Sequence, residues 1–93
     1  MNPLLTTKAE SFRSGSDNLE FYHNRLVKLT NGVLMFCSGG EAEITIDLEK
    51  HHIIPNTNIM LLPGSILSLR SASPDFQIHY FAYSGEMMLS LIH

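Results

Sequence analysis

The sequence predicts an all-β domain arranged as a sandwich or small barrel. Three observations carry this. Apolar runs of strand length recur about every eight to ten residues from Val33 onward. Turn-forming residues separate them at Gly39-Gly40, Pro55-Asn56, Pro63-Gly64 and Ser73-Pro74-Asp75. The stretch "GGEAEITIDLEK" alternates apolar and polar residues with a period of two, which puts a dry face and a wet face on one strand.

Residues 1–18 are polar and small, with Gly15 between two serines, and read as a mobile arm or an edge segment. "LEFYH", 19 to 23, fits a first strand with Leu19, Phe21 and His23 on one face and Glu20 and Tyr22 on the other. Asn31-Gly32 is the tightest hairpin signal in the chain. The following "VLMFCS" is apolar on both faces, as a central strand covered on both sides would be.

Gly39-Gly40 supplies the reversal into the alternating strand, where Ala42, Ile44, Ile46 and Leu48 are expected to face inward and Glu43, Thr45 and Asp47 outward. "HHII", "NIMLL" and "ILSLRS" give three more strands, the last two separated by a Pro63-Gly64 turn that suits type II. "FQIHYFAYS" is the longest, with Phe76, Ile78, Tyr80 and Ala82 on one face and Gln77, His79, Phe81 and Tyr83 on the other. "GEMMLSLIH" changes character and reads as the start of a helix, cut short, whose apolar surface docks elsewhere.

Composition narrows the function. Ninety-three residues make one domain with little reserve of core. The net charge is −3, and Lys8, Arg13, Arg25, Lys28, Lys50 and Arg70 are scattered, so the chain has no phosphate-tracking stripe of its own. A single cysteine, Cys37, excludes an internal disulfide framework, and no basic start precedes an apolar run, which makes the cytoplasm the expected compartment. The longest uncharged apolar run, Ile53 to Leu69, is broken by two prolines and a glycine and cannot form a spanning helix.

Strand residues two apart share a face, so the neighbours His51 and His52 cannot both reach one ion and read as a solvated strand start; no metal or other cofactor is expected. His79 among aromatics is either hydrogen-bonded packing or a ligand contact. Cys37 reads as a buried small hydrophobe rather than a nucleophile, and Glu41, Glu43, Asp47 and Glu49 as a solvated face. Met35 and Met60 read as core fillers, Met87 and Met88 as interface residues. No catalytic arrangement is present in the motifs, so no enzymatic activity is expected. A small-molecule pocket would be the barrel interior, with Phe36, Ile46, Leu61, Leu69, His79 and Phe81 chosen from mid-strand positions. Met87, Met88, Leu89, Leu91 and Ile92 put five large apolar side chains into six residues, more than one helix face can bury on a small barrel, and mark a homodimer surface.

The run "MFCSGGEAEITIDLEKHHIIPNTNIMLLPGSILSL", followed by "SPDFQIHYFAYS", resembles the N-terminal cupin-like sensor domain of AraC-type bacterial transcriptional regulators over roughly residues 19 to 84. The resemblance implies a small cupin-like (double-stranded β-helix, or jelly-roll) barrel over 19–84, preceded by an arm over 1–18 and followed by a linking and dimerisation helix beginning at 85–93. It implies an effector-sensing or dimerising module, a possible small-molecule effector, and contact with DNA only through a helix-turn-helix region that this chain lacks. Where metal-binding cupins carry a ligand after the Pro63-Gly64 turn, Ser65 stands instead. The alternative is a stand-alone small cupin, an enzyme or a sugar-binding protein, which needs a polar cluster inside the barrel.

Overall fold

A computed structural model of the chain describes residues 2–6 and 12–84. The expected helix start at 85–93, with the dimerisation residues Met87, Met88, Leu89, Leu91 and Ile92, lies outside the described residues. Strands run β1 Phe12–Asp17, β2 Val27–Lys28, β3 Gly32–Gly39, β4 Ala42–Ile46, β5 Glu49–Ile53, β6 Asn58–Leu61, β7 Ile66–Ala72 and β8 Gln77–Tyr83, with a short 3-10 turn at Glu20–Tyr22. They form two antiparallel sheets, ordered β1-β8-β3-β6 and β2-β7-β4-β5. First pairs with last, second with seventh, third with sixth and fourth with fifth. The chain is thus one long hairpin with its tip between β4 and β5, rolled up by the β3–β8 and β4–β7 pairings. Neither sheet closes on itself.

The core lies between the sheets. Val33, Met35 and Cys37 of β3 and Ile78, Tyr80 and Ala82 of β8 meet Ala42 and Ile44 of β4, Ile53 of β5 and Leu67 and Leu69 of β7. The two faces of β8 are those expected, Ile78, Tyr80 and Ala82 on one and His79 and Phe81 on the other, and it is the first that turns inward, so His79 and Phe81, expected in the interior, lie outside.

Several expectations are corrected. "LEFYH" is not a strand. Asp17 Oδ2 accepts from the Leu19 amide at 2.8 Å and Asn18 Oδ1 from the Glu20 amide at 3.0 Å. These side-chain turns put Leu19 at φ 61° and close the 3-10 turn. Asn31-Gly32 does not make a hairpin, since β2 and β3 belong to different sheets. Asn31 is instead buried at the crossover, where its amide donates to Leu4 O at 2.9 Å and accepts from the Thr6 amide at 3.3 Å. The first residues are held at a second point by Tyr22, whose hydroxyl accepts from the Leu4 amide and donates to Asn2 Oδ1. Of the two readings of the first eighteen residues, Phe12–Asp17 takes the edge segment, paired with β8 along its length.

Leu48, expected inside, is 69% exposed. Asp47 and Leu48 have φ 53° and 70° and are the two central residues of the β4–β5 hairpin, flanked by the Ile46↔Glu49 pair. The period-two pattern simply continues through a two-residue turn that reverses the chain. Thr45, expected outside, is buried with its cross-strand partner Ser68, and neither hydroxyl has a hydrogen-bond partner among the described residues.

Candidate functional site

The pleat of the β1-β8-β3-β6 sheet turns every second residue away from the core, and the registers align these into rows. Ser14, Phe81, Leu34 and Met60 form one row across the four strands. Ser16, His79, Phe36 and Asn58 form the next. Beyond the first, Phe12 pairs with Tyr83, whose ring stacks on Phe81 with centroids 6.4 Å apart.

Together Leu34, Phe36, Met60 and Phe81, with Asn58 and His79 at one end, line an open groove of about 560 Å³. That volume lies within the range of small-ligand sites, and its lining is predominantly apolar. Phe36, Met60 and Phe81 stay substantially exposed. His79 is fixed by a 2.8 Å hydrogen bond between its Nδ1 and Ser16 Oγ.

Of the expected pocket residues, Phe36, His79 and Phe81 are brought together, but on the outer face rather than inside. Leu61 and Leu69 are core residues, 1% and 2% exposed. Ile46 packs against the core on the opposite sheet. Met60, expected as a core filler, is corrected to a groove residue: its neighbour Leu61 takes the inward position on β6. Leu34 and Asn58 were not singled out by the sequence. Alternation places Leu34 on the same side as Phe36, but the pairing of β6 with β3 that brings in Asn58 and Met60 carries no short-range signal.

The chemistry of this face is that of contact. Cys37 points inward, its Sγ 3.4 Å from Gly39 O. His51 and His52 point to opposite sides of β5, and His52 lies 3.5 Å from Glu41 in an exposed pair on the other sheet. Among the described residues no three of His, Cys, Asp and Glu converge as metal ligands would. Nor is any helix among them long and apolar enough to cross a membrane.

A similar fold is seen in the plu4264 protein from Photorhabdus luminescens, with a TM-score of 0.56 and 16% sequence identity over 86% of this chain. The match covers 60% of that protein's chain, and at this identity the likeness is one of fold. No family model matches the sequence, and no curated protein does.

Proposed function

We propose that the chain is a non-catalytic assembly module, the sensor and dimerisation part of an AraC-type transcriptional regulator, and that it works through the outer face of the β1-β8-β3-β6 sheet. Two things support the fold side of this reading. The strand orders are those of a jelly roll, the architecture of cupins, and the sequence resembles that sensor domain over residues 19 to 84. The observation that carries the function is the groove: three large apolar side chains, Phe36, Met60 and Phe81, stand exposed side by side on one sheet face. Contiguous apolar surface on a small domain marks an interaction site.

Sedimentation across a concentration series tests the reading. The expected outcome is a monomer–dimer equilibrium in the micromolar range, shifted toward monomer by at least about tenfold, or about 1.4 kcal/mol, in Phe81→Asp. A monomer up to high micromolar concentration, or stoichiometric transition metal in the purified protein, would contradict it.

A further inference from the structure

Among the described residues, no Asp, Glu, Lys or Arg stands at an outward position on any strand of the β1-β8-β3-β6 sheet. Arg13 and Asp17, the charged residues of β1, pair with Ala82 and Ile78 and so belong to the inward rows, and Asp17 Oδ2 is turned to the Leu19 amide. The chain has six basic and nine acidic residues, so a four-strand face without one is a property of the pattern and not of the composition. The titratable groups left on this face are the Tyr83 phenol and the His79 imidazole.

This absence of charge selects the partner. Nucleic acid or a charged peptide finds no ion pair here and would give up its own hydration against apolar side chains. A second copy brings an equally uncharged face, and twofold pairing, which sets like surface against like, then meets no repulsion. His79 is the point at which that neutrality depends on pH. It pairs with Phe36 across the strands, lines the groove and is exposed in the single chain, so a copy seated on the groove takes it out of water. A neutral imidazole enters such a contact at small cost, whereas an imidazolium loses its hydration and meets no carboxylate. Ser16 does not offset this. Its hydroxyl both donates and accepts, so the 2.8 Å bond to His79 Nδ1 is kept in either charge state.

We infer that the outer face of the β1-β8-β3-β6 sheet closes on a second copy with His79 neutral, and that protonation of His79 opens it. The inference rests on the reading of this face as the assembly surface and adds its control. Histidine changes charge between about pH 5 and 8, and each dimer buries two such groups, so association weakens as pH falls through that range.

Sedimentation equilibrium at about pH 7.5 and about pH 5.5, at constant ionic strength and with β circular dichroism recorded at both, tests it. The dissociation constant of the unmodified chain is expected to rise about 10- to 100-fold at the lower pH, and by less than about threefold in His79→Gln and in His79→Phe. The other four histidines are unchanged in both variants, so the comparison isolates this one. A dimer whose dissociation constant is the same at the two pH values, or whose pH dependence survives in both variants, would overturn the inference and leave the assembly reading intact. A chain that is monomeric at both pH values up to high micromolar concentration would overturn the two together.

Discussion

Leu48 holds a left-handed conformation without burying its side chain. That conformation costs a bulky residue about 1–2 kcal/mol, and the hairpin position favours glycine. Leu48→Gly should therefore stabilise the fold by up to about 1.5 kcal/mol once glycine's larger unfolded-state entropy is subtracted, seen as a higher urea midpoint; a lower midpoint would contradict the turn assignment. Tyr22 makes a second residue-scale case. Its phenol is fully buried, and this burial pushes its pKa well above the ordinary 10.0; the Leu4 amide donating to its oxygen pulls it back, and Asp17 and Tyr80 push it further up. A folded pKa raised above the unfolded one means that the contribution is intact below pH 10.0 and is lost as pH rises from there toward the folded value. Denaturant titrations should show stability falling above about pH 10, with Tyr22→Phe removing that part of the slope at a cost of about 1–3 kcal/mol at neutral pH for the two hydrogen bonds lost. An unchanged alkaline slope in Tyr22→Phe would assign the loss to other groups.

Among the elements, the β3–β4 turn is the most tightly specified. Gly40 has φ 68°, and a methyl group there would come within 2.5 Å of the Phe76 amide nitrogen and 2.6 Å of Ser73 Oγ. The same loops are joined by the Glu41 amide donating to Ser73 Oγ at 2.9 Å and the Ser73 amide donating to Glu41 O at 2.8 Å. Gly40→Ala should cost about 2–4 kcal/mol, combining backbone strain with overpacking, whereas Gly64→Ala, with nothing near its Cβ position, should cost only about 1–2 kcal/mol of strain. Thermal melts of the two variants compare them directly, and equal losses would mean that the close approach to Phe76 is not felt. The strands were legible in the sequence where side-chain contrast is strong. β8 separates its two faces, Ile78, Tyr80 and Ala82 against Gln77, His79 and Phe81, although the pattern does not show which of them turns inward, since Phe81 and Tyr83 make the outer face apolar too. β3 has no such contrast, so its pattern could not tell which of Met35 and Phe36 faces the core. "LEFYH" misleads because Asp17 and Asn18 act through side-chain hydrogen bonds that a periodicity does not contain. The groove was half legible: Phe36, His79 and Phe81 could be picked as mid-strand residues, but their side of the sheet and their partners on β6 depend on long-range pairing.

For the molecule as a whole, the two sheets differ in what they present outward. The β2-β7-β4-β5 sheet carries charge, with Glu43 and Lys50 paired across β4 and β5 and His52 beside Glu41. The β1-β8-β3-β6 sheet carries aromatic and methionine side chains. Fully burying each such side chain stabilises by roughly 1.5–3 kcal/mol, a large amount beside the marginal stability of a domain this small. Cover of this outer face by a second copy is the premise of the assembly reading. Relaxation of ¹³C-methyl methionine signals by a soluble paramagnetic probe measures that cover directly. The account predicts that protection of the Met60 methyl rises with chain concentration toward that of the core residue Met35, and that this rise is lost in Phe81→Asp. A Met60 methyl broadened as strongly as a freely exposed one, in the unmodified chain at high micromolar concentration, would contradict it.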